Sequence, residues 1–257
     1  VYNAGSSKQG NRPADERPRP GPATKQKDEE GRQKQMSLYY YKDMFKVKNM
    51  EEAKNIILTE ERQGGSYDVR WNRETEYMLE LFRKGLGDLK GKTILDFGCG
   101  IGRLSKALLE NYDCCVLGVD ISASMRQLAL EYVNNDRFSV MSYEMFSELA
   151  GKGNLQVDVG LAVYVLQHVY DPKGDIKLLS QAIKEQLFVL NLKHRAIPVI
   201  DGETGAKKFY LEKEIEEATD VAGLLEQRFA VEKELELDGS KISIAEEHWC
   251  KVYKAKH

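Results

Sequence analysis

Glycine and aspartate residues that could bind a nucleoside lie at the ends of two apolar runs near the middle of the chain. Asp96 is at the end of the first run, and Gly98, Gly100 and Gly102 follow at every second position before a helix-like segment. Glycines remove side chains where a ligand would lie, and free N–H groups at a helix start can donate hydrogen bonds to it. Asp120 ends the next run, where a carboxylate can accept both hydroxyls of a ribose. These residues together predict a nucleoside-binding crevice.

The glycine spacing separates the possible cofactor classes. The dinucleotide fingerprint GxGxxG requires a third glycine where this chain has Arg103. A phosphate-binding P-loop requires Gly-Lys-Ser/Thr after its glycines, and that motif does not follow here. The chain instead reads D-x-G-x-G-x-G from Asp96 to Gly102. This pattern strongly resembles motif I of class I S-adenosylmethionine (SAM)-dependent methyltransferases.

The resemblance extends over roughly residues 68–256, and its most specific part is motif I coupled to Val119-Asp120. It implies SAM as the cofactor and S-adenosylhomocysteine (SAH) as the product. It also implies that the glycine loop lines the cofactor, with Asp96 close to the methionine end and Asp120 on the ribose. The cofactor-binding residues implied in this region are Asp96, Gly98, Cys99, Gly100, Gly102, Asp120 and Ile121.

The adenine end departs from the family pattern. Family members usually end the third strand with an acidic residue near the adenine, whereas this chain reads Ser142-Tyr143-Glu144. Tyr143 or Glu144 is the expected replacement.

The exit of the fourth predicted strand, residues 157–169, resembles the small-molecule branch of the superfamily. Amino-methylating DNA enzymes carry an Asn/Asp-Pro-Pro-aromatic motif there, and cytosine-C5 enzymes use a Pro-Cys nucleophile; this chain has neither in that setting. The leading interpretation is an enzyme of the EC 2.1.1 type that methylates O or N of a small molecule. The alternatives are a protein or RNA methyltransferase that uses the basic N-terminal tail, and a non-catalytic SAM-binding protein.

Two histidines are candidate catalytic bases, which only some acceptors would need. His168 follows the fourth strand, and a polar packing role is its alternative. His194 begins an irregular stretch at the predicted ligand edge of the sheet, and a solvated loop is the alternative there. This irregular stretch is predicted over residues 193–208. It and the residues just after it supply the predicted acceptor set, for which a solvated loop is again the alternative; besides His194 the set contains Arg195, Asp201, Lys207, Lys208 and Tyr210.

The segment before the core contains a possible lid over the cofactor, with Tyr67, Arg70 and Trp71. Arg70 could pair with the methionine carboxylate of SAM. Trp71 could equally be a packing residue.

Composition limits the possible partners and compartments. The net charge of −3 gives no global attraction to nucleic acid, and no apolar run reaches the ~18 residues needed to cross a bilayer. The 4 cysteines lack the spacing of a disulfide framework or a zinc site. We therefore expect a cytoplasmic protein without a structural metal, acting on a small molecule; nucleic acid and membrane are not expected partners, and oligomeric state is not indicated.

The hydrophobic pattern predicts three regions: a disordered tail over residues 1–35, an N-terminal helical cap over 36–90, and a SAM-binding core over 91–257. Apolar runs alternate with amphipathic segments in the core, which is typical of an α/β fold. We predict a Rossmann-like, seven-stranded, mostly parallel sheet that ends in a C-terminal β-hairpin. Strands are predicted over 93–97, 115–119, 138–142, 157–163 and 187–192, and helices near 50–62 and over 73–87, 101–111, 172–186 and 211–227.

Overall fold

The structure is a computed structural model that describes residues 38–58, 67–212, 218–242 and 245–256. The predicted tail, residues 1–35, lies outside these ranges. The described residues from Tyr39 onward belong to one structural unit. None of the described helices is long and apolar enough to cross a bilayer.

Strands and helices alternate along most of the described chain. The strands are β1 (Leu38–Tyr40), β2 (Thr93–Phe97), β3 (Cys115–Asp120), β4 (Phe138–Ser142), β5 (Val157–Val163), β6 (Ile183–Leu192), β7 (Ala196–Asp201), β8 (Lys207–Leu211), β9 (Phe229–Glu234) and β10 (His248–Ala255). The helices are α1 (Met50–Leu58), α2 (Tyr67–Leu86), α3 (Arg103–Asn111), α4 (Ala123–Val133), α5 (Tyr143–Gly151), α6 (Pro172–Ala182) and α7 (Val221–Arg228). Short 3₁₀ turns cover Lys42–Phe45 and Ala245–Glu247.

A 7-stranded sheet forms the centre of the protein, with the order β4-β3-β2-β5-β6-β10-β9. The strands from β4 to β6 run parallel, and β10 runs antiparallel to both β6 and β9. This topology confirms the predicted Rossmann-like sheet and its C-terminal hairpin. The carboxyl ends of the parallel strands meet at one edge, which is where ligands bind in open α/β sheets.

Helices cover both faces of this sheet and account for its apolar strands. On one face α2 packs on β6, where the rings of Phe82 and Phe188 meet edge to face at 4.9 Å. On the other face lies α5, whose Phe146 is fully buried. Successive residues of β2 alternate between these layers, since Ile94 joins the first and Leu95 the second. A strand buried on both faces reads as a continuous apolar run.

Helices α4 and α6 each begin with a side-chain cap. The Ser122 side chain accepts a hydrogen bond from the Met125 N–H and begins α4. The Asp171 side chain accepts one from the Gly174 N–H at 2.9 Å, with Pro172 at the first helical position of α6. Both caps satisfy N–H groups that have no partner within the helix.

The stretch from residue 193 to 208, predicted to be irregular, contains strand β7 and the start of β8, so this prediction is wrong. The two strands pair antiparallel, and β7 also pairs with β1 in a 3-stranded sheet. The partner β1 lies more than 150 residues earlier in the sequence and is only 3 residues long. The pattern of apolar residues within one segment cannot predict a pairing between strands so far apart in the sequence.

Other boundaries also differ from the prediction, and the helix predicted over 73–87 begins earlier, at Tyr67. The helix predicted over 211–227 begins only at Val221, because Leu211 ends β8; residues 213–217 lie outside the described ranges. Helix α6 ends at Ala182, and residues from Ile183 to Gln186 belong to β6. The predicted N-terminal cap is not wholly helical, since β1 opens its described part.

The segment between β1 and α1 is attached at two separate places. The Tyr41 N–H donates to the Pro198 carbonyl of β7 at 2.9 Å. The Val47 N–H donates to the Ser124 hydroxyl on α4 at 3.1 Å. Beyond it, α1 belongs to a small apolar cluster that also contains Ile101. One stretch of chain therefore links the small sheet to the helices beside the glycine turn.

We expect Arg195→Met to lower the free energy of unfolding by about 3–5 kcal/mol, because it leaves the Glu212 carboxylate buried without its cation. The guanidinium lies 2.7 Å from Glu212 and also bonds to Thr219 and the Val169 carbonyl; both charged residues are buried. Urea unfolding measures the change.

The matched control is Lys208→Met, since Lys208 forms an exposed pair with Asp201 at 3.8 Å. This change should alter stability by less than about 0.5 kcal/mol. Equal losses in the two variants would contradict a structural role for the buried pair.

Candidate active site

A cavity of about 710 Å³ opens at the carboxyl ends of the parallel strands. The glycine turn and Asp120 line one part of it, and side chains from the N-terminal segment, the exit of β5 and β8 line the rest. Pockets of 300–1,000 Å³ are typical for small ligands and cofactors. Among the described residues, no group of three His, Cys, Asp or Glu residues is arranged to hold a metal ion.

The three glycines of the turn all have positive φ, which favours glycine over other residues. A Cβ on Gly98 would lie 2.4 Å from Val165, and one on Gly102 would lie 2.5 Å from Val133. Packing of the protein itself therefore excludes a side chain at these two positions. Gly98 and Gly100 line the cavity, as does Cys99, whereas Gly102 does not.

Asp120 holds the glycine turn from the end of β3. Its Oδ2 accepts a hydrogen bond from the Gly100 N–H at 2.9 Å, and its Oδ1 accepts one from the Ser122 N–H at 2.8 Å. Burial raises the pKa of Asp120, while both backbone bonds favour its ionised form. Each oxygen has a second lone pair for another donor. The carboxylate lines the cavity, together with Ile121, and can therefore accept two hydroxyls from a ligand.

Asp96 lies at the end of β2 and is only 3% exposed. The Ser105 hydroxyl donates to its Oδ2 at 2.6 Å. Burial raises the pKa of Asp96 to about 6, and the nearby charge of Asp120 acts in the same direction. The side chain lines the cavity beside the glycine turn.

Arg70 reaches the cavity from α2 and is held in place by other groups. Its Nε donates to Glu74 at 2.7 Å, and its guanidinium also donates to the Leu58 carbonyl. Trp71, by contrast, is buried outside the cavity wall, where the Arg103 guanidinium lies 5.2 Å from its ring centroid. The structure thus brings Arg70 to the site and places Trp71 in the packing behind it. The side chain of Tyr67 lies outside the described part of the chain.

Tyr143 and Glu144 both line the cavity after β4. The Tyr143 hydroxyl donates to the Asp175 carboxylate at 2.5 Å, and Asp175 also lines the cavity. Sequence analysis missed Asp175. Its signal is an acidic residue four positions before Leu179, hence on the apolar face of the predicted helix. Glu144 is exposed on the first turn of α5.

His168 lines the cavity, but both of its ring nitrogens are engaged. The Leu192 N–H donates to Gln167 Oε1 at 2.7 Å, so the Gln167 amide nitrogen is the atom that lies 3.0 Å from His168 Nε2. The Ala196 carbonyl, which can only accept, lies 2.5 Å from His168 Nδ1. This network assigns the proton to Nδ1. Burial lowers the pKa of His168 to about 4. The arrangement supports the polar packing alternative for His168.

The remaining polar residues near β7 and β8 do not join the site. His194 is exposed and lies outside the cavity wall, and Arg195 is buried in its pair with Glu212. The other members of the predicted acceptor set also lie outside the wall; these are Asp201, Lys207, Lys208 and Tyr210. The cavity instead receives Phe209 from β8.

Aromatic rings form the wall around His168. The Phe209 ring lies 5.2 Å from the imidazole and the Phe45 ring lies 5.9 Å from it, measured between centroids. Tyr40 and Tyr170 pack on each other at 5.3 Å in the same cavity. Because the imidazole is uncharged, this wall is apolar and aromatic, in contrast to the carboxylates at the glycine turn.

A profile described as a methyltransferase domain matches residues 68–196, just over half of the chain. Ubiquinone biosynthesis O-methyltransferase of Coxiella burnetii (strain RSA 493 / Nine Mile phase I) is 34% identical over 96 residues, or 37% of this chain and 41% of that protein. The protein of the same name from Leptothrix cholodnii is 29% identical over 125 residues, or 44% and 53%. The chain thus spans about half the length of these relatives, or less.

Solved structures share the fold. Magnesium protoporphyrin IX methyltransferase from Synechocystis PCC 6803, with bound SAH, has a TM-score of 0.53 and 16% identity, with 81% of this chain and 95% of that chain covered. N-methyltransferase NodS from Bradyrhizobium japonicum WM9, in complex with SAH, has a TM-score of 0.51 and 13% identity, with 72% and 88% covered.

We expect His168 to stay neutral, with its proton on Nδ1, from pH 8 down to about pH 5. The ordinary histidine pKa of 6.5 is lowered to about 4 here, so the unfolded chain takes up a proton first as the pH falls. The folded state therefore loses stability between about pH 6.5 and pH 4. Long-range ¹H–¹⁵N NMR spectra report the tautomer and the titration.

The variant His168→Gln should lose less stability over the same pH range, because it lacks the titrating group. An imidazole that titrates near pH 6.5 in the wild-type protein would show that the Gln167 and Ala196 contacts do not fix its state.

Proposed function

This chain belongs to the methyltransferase domain family, within the class I SAM-dependent superfamily, and on that premise we propose that it transfers a methyl group from SAM to an oxygen or nitrogen of a small molecule. The observation that carries the proposal is the Asp120 carboxylate, which fixes the Gly100 turn and still has a lone pair on each oxygen beside the cavity. A ribose with two adjacent hydroxyls fits that pair of acceptors.

The residues present fit SAM over its length. Asp120 would hold the ribose, and Gly98 and Gly100 would lie against the chain that joins ribose to methionine. Arg70 and Asp96 supply a cation and a buried carboxylate for the charged methionine end. Val165 closes the turn from the other side.

When bound, SAM supplies a methyl group already activated by its sulfonium charge. The task of the chain is therefore to orient the acceptor towards that methyl and to exclude water. Phe45, Phe209 and the neutral imidazole of His168 provide an apolar wall for this purpose.

The size of the cavity supports a small-molecule acceptor, and the names of the matched relatives indicate which atom is methylated. The cavity of about 710 Å³ is within the range of pockets that hold a cofactor and a compact ligand. Oxygen is the favoured methylated atom, because the matched curated relatives are named O-methyltransferases.

Binding of the cofactor is tested by calorimetry with SAM and SAH. We expect micromolar affinity in the wild-type protein and a loss of at least about tenfold in Asp120→Asn, because the amide presents a donor where a carboxylate oxygen accepted. Asp158→Asn is the matched control. Asp158 is also on a parallel strand, but it pairs with Lys184 and the Thr93 N–H, away from the cavity wall. Absence of binding to the folded wild-type protein would overturn the proposal.

Methyl transfer is tested with methyl-labelled SAM and cell extract separated by molecular size. We expect the label in the small-molecule fraction, in an extractable form. Label in protein or RNA would assign the activity to a macromolecular acceptor. Cofactor binding without transfer to any fraction would favour a non-catalytic SAM-binding protein.

A further inference from the structure

Asp175 is a buried carboxylate with one oxygen directed to a ligand cavity and without a protein partner. The residue is 3% exposed and lines the cavity from α6. Its Oδ1 accepts the Tyr143 hydroxyl at 2.5 Å, and within the described ranges no residue donates to Oδ2. Oδ2 is not one of the fully buried side-chain atoms that lack a partner, so it is accessible from the cavity that Asp175 lines, where a ligand can donate to it. An unpartnered oxygen beside a cavity points to a donor on the ligand.

The position of Asp175 relative to Asp120 indicates which part of the ligand it meets. Asp120 pairs in register with Ser142 on the neighbouring strand β4, and Tyr143 is the next residue. Neighbouring strands lie about 4.8 Å apart. A base attached to a ribose on Asp120 has that strand end within its reach. Tyr143, Glu144 and Asp175 supply the polar groups of the cavity wall at that strand end.

The hydrogen-bonding groups of the cavity wall near Tyr143 determine which group of a base can bind there. Adenine has an exocyclic 6-amino group, which is a hydrogen-bond donor. Tyr143 is already committed as a donor to Asp175. Glu144 is exposed, and a backbone hydrogen bond is the main cause that lowers its pKa, so its charge is already engaged near the start of α5. Asp175 remains the acceptor for the amino group.

We infer that Asp175, oriented by Tyr143, binds the 6-amino group of the cofactor's adenine and selects it over hypoxanthine. The inference rests on the proposed function and adds Asp175 as the residue that recognises the adenine base. It gives the cavity an acidic adenine contact supplied by α6, in place of an acid at the end of β4.

The assay pH follows from the surroundings of Asp175. Burial raises its pKa to about 6, Tyr143 and Arg195 oppose that rise, and Asp171 adds to it. Tyr40, whose own pKa is raised by burial and by Asp175, also faces this carboxylate. At pH 8 the group is ionised and accepts hydrogen bonds, so binding is measured there.

The test compares SAH with S-inosylhomocysteine, which has a carbonyl in place of the 6-amino group. By calorimetry at pH 8, the wild-type protein should bind SAH at least about tenfold more tightly, because the inosyl carbonyl opposes a carboxylate. Asp175→Asn should reduce that preference to about threefold or less, since an amide can both donate and accept. Tyr143→Phe, which frees the carboxylate, should reduce the preference less.

Asp220→Asn is the matched control, because Asp220 caps α7 outside the cavity wall; it should keep the full preference. Equal binding of both ligands by the wild-type protein, or an unchanged preference in Asp175→Asn and Tyr143→Phe, would overturn the inference. Loss of the preference in Glu144→Gln with Asp175→Asn unaffected would overturn it as well. A wild-type protein that binds neither ligand would instead refute the proposed function.

Discussion

The pair of hydrogen bonds from the Gly100 and Ser122 N–H groups to the Asp120 carboxylate is the contact on which the site depends. It joins the turn after β2 to the turn after β3 and so fixes the spacing of two strand ends. The same buried group remains available to a ligand. A charge-assisted bond to a carboxylate is stronger than a neutral one, which keeps the turn in place before any ligand arrives. Structure and recognition therefore rely on one side chain.

The two ends of the cavity differ in character because of what surrounds each buried polar group. Near the glycine turn, the Asp96 carboxylate accepts a hydrogen bond from the Ser105 hydroxyl, and the Asp120 carboxylate accepts hydrogen bonds from backbone N–H groups. Around His168 the hydrogen bonds instead satisfy the neutral imidazole, and aromatic rings cover it. One end thus suits the polar groups of a nucleoside and the other suits an apolar ring or chain. The two ends differ because the buried groups are carboxylates at the glycine turn and an imidazole, with both nitrogens engaged, at His168.

Sequence patterns were sufficient for the features that are local in the chain. The bounds of β2, β4 and β5 agree with the predicted strands. Each of these strands is a short run of consecutive residues that differs in hydrophobicity from the helices beside it, so the sequence alone locates it. The small sheet was missed because β1 meets β7 only after the chain has folded. The engaged state of His168 depends on Gln167, Leu192 and Ala196, and Asp175 acquires its partner from α5. A second reason for Gly98 was also missed, since Val165 leaves no room for a side chain there.

The chain between its bond to Pro198 and its bond to Ser124 is short, and this limits how far apart the two parts that it joins can lie. Residues 41–47 connect those two attachments, and a fully extended stretch of that length spans only about 20 Å. The two attachments cannot lie farther apart than this length of backbone allows. Phe45 lies in this segment and lines the cavity, so this part of the cavity wall stands on a stretch of backbone that is held at both ends.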